Sequence, residues 1–185
     1  MAGEQARDPL SYLWAPLCAV GSHGERPNAQ ICVAVFGASI VPDRPRVLVG
    51  LWKENHTHDL VARAGTLAVT LLSAEQSTLL APLGLRSGRE RDKLEGIEHR
   101  LTRAGDPYLP GGTGYLAGEV IESFDWGDAT GYLVAVRERA RLTADEPLFW
   151  RDAAPLLPGS FVSTFQEKSA RDQAAARRVM IWRDG

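Results

Sequence analysis

The chain has 185 residues, of which 44% are hydrophobic and 24% are charged, and its formal net charge at pH 7 is −2. This balance is typical of a soluble globular protein that buries a core without disulfide staples. It provides no basic surplus for nucleic acid or an anionic membrane. No apolar run approaches the roughly 20 residues that cross a bilayer, and the first residues lack the charged-then-apolar order of a signal peptide. We therefore expect a cytoplasmic protein with neither nucleic acid nor membrane as a partner.

The two cysteines, Cys18 and Cys32, each lie inside an apolar run. They are too few and too far apart for a metal knuckle. Apolar surroundings favour small buried thiols, and free thiols are typical of a reducing compartment. The sequence therefore predicts two buried free cysteines.

The first half of the chain predicts strands interrupted by short helices. Residues 7–17 indicate a short helix with Asp8 as the N-cap and Pro9 at its first position. The apolar runs 16–22 and 29–41 flank a turn-rich segment, which predicts an antiparallel hairpin. The remaining predicted elements of this half are a strand at 47–52, a helix at 57–65 closed by Gly65, a strand at 67–73 and a helix at 74–84 capped by Ser73.

The second half contains the longest predicted strands. Residues 86–97 predict a polar turn leading into a further short helix, and residues 105–114 predict a loop rich in Gly and Pro. Two strands follow at 115–125 and 131–142, joined by a tight turn at 126–130. The second strand alternates apolar and charged residues towards its end, so we expect it to be covered at its start and exposed at its end.

A polar, alanine-rich helix is predicted from Ser163 to Ile181, and its composition favours a surface position. Before it, strands and short helices alternate irregularly rather than in a βαβ rhythm. This order favours a mainly β (α+β) fold, a small Greek-key-like antiparallel barrel with helical insertions, over a doubly wound sheet.

The spacing His56-x-His58, followed by Asp59, raises the question of a metal site. Zinc requires three or four ligands that converge on one point. His23 and His99 are remote in sequence, and neither H-E-x-x-H nor C-x-x-C occurs. We therefore predict no metal. Patterns for a nucleophile elbow, a P-loop and a dinucleotide fingerprint are also absent from the sequence.

An anion clamp fits the same stretch better. Lys53, Asn55 and Thr57 lie where a buried strand gives way to a helix start, whose free N–H groups and dipole favour a phosphate. An ordinary strand–helix cap remains the alternative. A second polar loop also carries cations, and two such loops indicate a phosphorylated cofactor. That loop contains Gly84, Arg86, Ser87, Gly88, Arg89 and Lys93.

Five segments, in this order, resemble the flavin reductase-like proteins with an FMN-binding split β-barrel. The segments are "RPNAQICVAVFGAS", "PDRPRVLVGLWKENHTHDLV", "LAVTLLSAEQ", "LRSGRERDKLEGI" and "WGDATGYLVAV". The resemblance covers roughly Trp14 to Leu142. We predict a split-barrel flavin-binding domain over residues 1–157 and a C-terminal helical extension over 158–185. The resemblance also implies a homodimer with flavin near the subunit interface.

By position, the resemblance places ten residues around the flavin. The ring and ribityl chain would be lined by Asn28, Gln30, Ile31 and Cys32; the phosphate would be held by Lys53, Asn55 and Thr57, with Arg86, Ser87 and Lys93. FMN is favoured over FAD because no second, adenine-binding pattern is visible. NAD(P)H is the implied co-substrate.

The implied function is an oxidoreductase that transfers hydride from NAD(P)H to FMN or FAD, or through the flavin to a small-molecule acceptor. A partner monooxygenase that takes the reduced flavin is also implied. Ala129 stands where reductase members often have a histidine, so no catalytic residue is assigned. Two alternatives remain open: an FMN-binding protein without efficient NAD(P)H turnover, and a structural or interaction module on the same barrel.

Overall fold

The structure, a computed structural model, describes residues 9–13 and 15–183. The strands are β1 Cys18–His23, β2 Pro27–Cys32, β3 Val35–Gly37, β4 Arg46–Trp52, β5 Thr66–Leu71, β6 Arg100–Leu101, β7 Pro107–Tyr108, β8 Gly114–Asp125 and β9 Ala129–Arg141. The α-helices are α1 His56–Ala64, α2 Leu80–Gly84, α3 Trp150–Ala153 and α4 Gly159–Ala176, and 3-10 turns cover Pro9–Leu13, Ala74–Leu79 and Ala154–Leu156.

Seven strands form one antiparallel sheet in the order β2-β1-β5-β8-β9-β4-β3. The edge strands β2 and β3 are separated in sequence only by Val33 and Ala34. Laid flat, seven strands would separate the two edges by about 29 Å, whereas this link reaches at most about 11 Å. The sheet therefore has to curl, and Gly50 N donates to Ala34 O at 2.8 Å where the edges meet. This curled sheet confirms the predicted antiparallel barrel.

Alternating residues of the strands face two separate cores. The barrel core lies inside the curled sheet, and it contains Cys18, Val20, Val49, Leu51, Val69 and Val134. The outer core lies between the sheet and the helices, and it contains Leu17, Ala19, Leu72, Leu80, Leu83, Leu109 and Phe161. Neighbours Cys18 and Ala19 of β1 thus belong to different cores.

Both cysteines are free and buried, which confirms the prediction from the sequence. Burial raises the pKa of the Cys32 thiol to about 11, and burial also raises the pKa of Cys18. Both side chains are therefore neutral thiols at physiological pH.

The β8–β9 hairpin carries the predicted tight turn. β9 is buried around Tyr132 and Val134 and is mostly exposed from Arg137 onward, as its alternation predicts. At the turn, Gly127 has φ +89°, a conformation that L side chains rarely adopt. The hairpin is the longest pairing in the sheet and links β5 to β4.

Several predicted elements differ from the structure. The helix expected within residues 86–97 was wrong: the segment forms turns, with Gly96 at φ +72° and Asp92 Oδ1 accepting from Leu94 N at 2.9 Å. The strand predicted at 29–41 breaks after Cys32, because the chain there passes from one sheet edge to the other. The loop predicted at 105–114 contains the short strand β7.

Helix α4 begins earlier and ends earlier than predicted. Pro158 occupies its N-cap, and the chain turns after Ala176, so that Ile181 N reaches Trp126 O at 3.0 Å. Its side chains are mostly exposed, which confirms the predicted surface position. Asp8, the predicted first cap, lies outside the described residues, and Pro9–Leu13 after it forms a 3-10 turn.

Within the described residues, no helix combines the length and apolar character needed to span a membrane.

Candidate functional site

A cavity of about 730 Å³ opens beside β2, within the usual range for small-molecule sites. Its walls come from β2, the β4–α1 junction, the segment 83–93 and α4. Eight of the ten residues predicted from the sequence line it: Asn28, Gln30, Ile31, Asn55, Thr57, Arg86, Ser87 and Lys93. The barrel therefore gathers residues that are up to 65 positions apart in sequence (93 − 28) into one site.

The other two predicted residues do not line this cavity. Lys53 Nζ donates to Asp125 Oδ1 at 2.7 Å, in an ion pair near the β8–β9 turn. Cys32 lies in the barrel core, and its thiol donates to Gly50 O at 3.4 Å. The strand-to-helix junction therefore contributes Asn55 and Thr57 to the cavity, whereas Lys53 points elsewhere, to Asp125.

A buried hydrogen bond forms part of the cavity wall. Asn28 Nδ2 of β2 donates to Thr57 Oγ1 in the first turn of α1 at 2.7 Å, and both residues are buried. Asn55 is the N-cap, with extended backbone, and Gly65 ends α1 in the left-handed conformation, as predicted. Thr57 therefore fixes α1 against β2 instead of capping its own helix.

Gly88 brings the backbone of the 86–90 loop against this pair. A Cβ at Gly88 would lie 2.2 Å from Asn28 Oδ1 and 2.9 Å from His56 Cδ2. Arg26 Nη2 donates to Gly88 O at 3.1 Å, which holds the loop from the β1–β2 turn. Arg89 holds it from the other side, since it donates at 2.6 Å to Glu54 O. Only glycine permits this close approach.

Lys93 is a buried cation in the cavity wall. Its side chain is 7% exposed, and Nζ donates to Leu83 O at 2.5 Å. Burial, and secondarily the positive charge of Lys168, lowers the pKa of Lys93 to about 8. An anion in the cavity would stabilise this charge.

His56 presents a buried polar atom that lacks a hydrogen bond. Its Nδ1 has no partner among the described residues, and the residue lines the cavity. Burial, and then the charge of Arg89, lowers its pKa, so the ring is neutral near pH 7. A buried polar atom without a partner is unfavourable. The cationic and polar side chains of the cavity, Asn28, Gln30, Arg86, Ser87 and Lys93, fit a ligand such as flavin, which offers both polar ring atoms and a phosphate.

The two histidines of the His-x-His stretch have different neighbours. His58 Nε2 lies 3.0 Å from Thr130 Oγ1, and its ring centroid lies 5.8 Å from that of Tyr132. His58 does not line the cavity that His56 lines. Across residues 9–13 and 15–183, no group of three or more His, Cys, Asp or Glu side chains is placed to hold a metal.

The set of ten predicted residues leaves out twelve others that line the cavity, among them Trp52, His56, Lys168, Arg171 and Asp172. The strand ending in Trp52 was predicted, but nothing in its sequence pattern shows that its last residue faces the cavity. The three charged residues of α4 have the sequence pattern of an ordinary solvated helix face.

Ala129 begins β9 and pairs with Trp52 across the β4–β9 register. Its carbonyl accepts from Trp126 N at 2.9 Å, which closes the turn. The Trp126 ring packs over two glycines: a Cβ would lie 2.8 Å from the ring at Gly50 and 2.4 Å at Gly131. The hairpin turn therefore carries an aromatic surface close to the position where the family often has a histidine.

A curled antiparallel sheet with an anion-favouring cavity at one edge defines a split-barrel cofactor-binding protein. The sequence profile of the family described as "Flavin reductase like domain" matches residues 10–155. The chain belongs to this family.

Curated relatives agree with this assignment. The chain is 32% identical over 127 residues to a high molecular weight rubredoxin from Moorella thermoacetica, covering 68% of this chain and 55% of that protein. It thus spans about half the length of that relative. It is 27% identical over 132 residues to the reductase subunit HsaB of a flavin-dependent monooxygenase from Mycobacterium tuberculosis, covering 70% and 68%. The crystal structure of an FMN-binding protein from Thermus thermophilus with bound p-hydroxybenzaldehyde aligns with a TM-score of 0.65 and 27% identity, covering 76% and 82%.

Proposed function

We propose that this protein binds FMN in the 730 Å³ cavity and acts as an NAD(P)H-dependent flavin reductase-like oxidoreductase. One observation carries the proposal: eight residues that the family resemblance places around a flavin, among them the buried Lys93, line this one cavity. Flavin, when bound, supplies the hydride chemistry, and the protein supplies binding and orientation.

The cavity residues divide into two groups by their chemistry. Arg86, Ser87 and Lys93 offer cationic and hydroxyl donors suited to the phosphate, next to Asn55 and the start of α1. The second group suits the uncharged part of the flavin, and it contains Asn28, Gln30, Ile31, His56 and Thr57. FMN is proposed ahead of FAD because the sequence shows no second, adenine-binding pattern.

The alternative, an FMN-binding protein that does not turn over NAD(P)H efficiently, has one observation in its favour. Ala129 brings no proton donor to the start of β9, where reductase members often have a histidine. The two functions share the binding site and differ only in reduction by nicotinamide.

Purified protein mixed with FMN and then desalted is expected to stay yellow, and anaerobic stopped-flow mixing with NADPH or NADH is expected to bleach the flavin band. The protein should retain FMN because the cationic cavity binds its phosphate. The flavin band should bleach because hydride transfer from the nicotinamide reduces the flavin. A colourless desalted protein would contradict flavin binding. A yellow protein that neither nicotinamide bleaches would leave the binding protein as the function. Comparing the two nicotinamides also identifies the preferred donor.

A homodimer is part of the proposal, supported by the family resemblance and by exposed apolar residues around β3. Ile40 is 99% exposed, and Val33, Phe36 and Val41 near it are also exposed. Contiguous exposed apolar residues of this kind mark interaction surfaces. A reducing, cytoplasmic setting, a small-molecule acceptor and a partner monooxygenase are proposed with it, the last because a relative is the reductase subunit of such a system.

Light scattering on the eluting protein is expected to give twice the chain mass of 20.2 kDa. Ile40→Lys is expected to shift the protein to the monomer, because it places a charge in the apolar surface around β3. Leu101→Lys, at a residue of β6 that is also exposed, is the matched control and should leave the mass unchanged. A wild-type monomer at micromolar concentration would contradict the dimer.

A further inference from the structure

Helix α4 lies outside the matched family region, which ends at residue 155, yet it forms one wall of the cavity. Its cavity residues are Lys168, Arg171, Asp172 and Ala175. Spacings of three and four residues place them on one face of the helix. The C-terminal extension therefore presents a charged face to a site whose other walls belong to the barrel.

Contacts outside the cavity fix the position of this helix at both ends. Phe161 is buried in the outer core and stacks on Phe165, with ring centroids 6.0 Å apart, and Trp150 lies 5.3 Å from Phe165. Beyond the other end, Ile181 N donates to Trp126 O at 3.0 Å. The β8–β9 turn at Gly127 touches the same segment so closely that a Cβ there would lie 2.2 Å from Val179 O. The helix is thus held over the cavity without depending on the residues that face into it.

The cations of α4 add to those of the barrel. Lys168 is half-buried, forms an ion pair with Asp172, and places Nζ 5.8 Å from the centroid of the Trp52 ring. It is close enough to Lys93 for its charge to contribute to the lowered pKa of that buried lysine. Two like charges facing one cavity repel each other, and an anion bound between them relieves the repulsion.

The acidic residues of the cavity do not remove this positive character. Glu54, Glu90 and Asp172 line it as well, and the ion pair between Asp172 and Lys168 removes one charge of each sign from the balance. Arg86, Lys93 and Arg171 line the cavity together with Lys168, so four cations face three carboxylates. Lys53, the cation that the sequence placed here, is paired with Asp125 away from this cavity.

We propose that Lys168 and Arg171 bind the phosphate group of the flavin, so that the C-terminal helix completes the site in place of Lys53. This inference rests on the proposed function. The ligand chemistry is a phosphate ester, bound through charge-assisted hydrogen bonds from an ammonium and a guanidinium. The same chemistry occurs in the pyrophosphate of a nicotinamide dinucleotide, and the experiment separates the two sources.

Fluorescence titration of the full-length protein with FMN and with riboflavin, which lacks the phosphate, tests the inference. The double variant Lys168→Gln, Arg171→Gln is expected to weaken FMN binding by 10-fold to 100-fold and riboflavin binding by less than 2-fold. Arg177→Gln, an exposed cation just beyond the same helix, is the matched control and should change neither. Lys53→Gln is expected to leave the ratio of FMN to riboflavin affinity unchanged.

Three results would overturn the inference. Equal weakening of FMN and riboflavin would show that α4 only covers the cavity. Unchanged FMN affinity with a raised KM for NADPH would assign these cations to the dinucleotide. A lower ratio of FMN affinity to riboflavin affinity in Lys53→Gln, with no such change in the double variant, would assign phosphate binding to Lys53 instead. Failure of the proposed function gives a separate signature, since the wild-type protein would then bind neither FMN nor riboflavin.

Discussion

Gly88→Ala is expected to lower FMN affinity by about 100-fold, equivalent to about 2.7 kcal/mol, while the protein remains folded. The new Cβ would lie 2.2 Å from Asn28 Oδ1, and ordinary van der Waals contact begins at 3.4 Å. Asn28 cannot move freely because its amide donates to the buried Thr57 hydroxyl. The 86–90 loop must therefore shift outward and carry Arg86 and Ser87 with it. Fluorescence titration with FMN measures the loss, and circular dichroism verifies the fold.

Gly159→Ala provides the matched control. Gly159 is the first residue of α4, remote from the cavity residues of that helix, and a Cβ there meets nothing within 4 Å. The same glycine-to-alanine change should therefore leave FMN affinity unchanged and should not lower the melting temperature. Wild-type FMN affinity in Gly88→Ala would contradict the role assigned to the loop, since the clash would then have been absorbed without moving the phosphate-side residues.

Regular patterns made much of the barrel predictable from the sequence. The β1–β2 hairpin, the helix ending at Gly65 and the long β8–β9 hairpin each follow from local signals: a turn-rich connection, a left-handed glycine cap and alternation along a strand. These signals operate within a few residues, so tertiary contacts did not have to be known. The prediction of a helix within residues 86–97 was wrong because the polar composition of this segment suits turns as well as the start of a helix.

The sequence identified most of the segments that form the site, but not which side chains contact each other there. The sequence placed Lys53 on the phosphate because it precedes a helix start, yet its partner Asp125 is 72 positions away. Only the β4–β9 and β8–β9 pairings bring those two residues together. The cavity face of α4 was missed for a related reason: Lys168 and Arg171 carry no periodic apolar signal that would assign their helix to a wall of the barrel.

Lys93→Met is expected to weaken FMN binding while making the free protein more stable at pH 7. Burial lowers the pKa of Lys93 from 10.5 to about 8, which corresponds to a charge penalty on the order of 3 kcal/mol. Methionine fills a similar volume without a charge, but it leaves Leu83 O without its donor, at a cost of about 1–2 kcal/mol. The net gain in the free energy of unfolding is about 1–2 kcal/mol. FMN affinity should fall by roughly 10-fold to 100-fold, because a charge-assisted contact with the phosphate is lost.

The pH dependence of this gain distinguishes a buried charge from better packing. Below pH 8 the lysine is protonated in both the folded and the unfolded wild-type chain, so the full penalty is present. Between pH 8 and pH 10.5 the unfolded chain binds more protons than the folded one, so wild-type stability rises with pH relative to the variant. The advantage of Lys93→Met in urea unfolding should therefore shrink steadily across that interval. A gain that stays constant to pH 10.5 would mean that packing, and not the buried ammonium, limits the stability of this wall of the cavity.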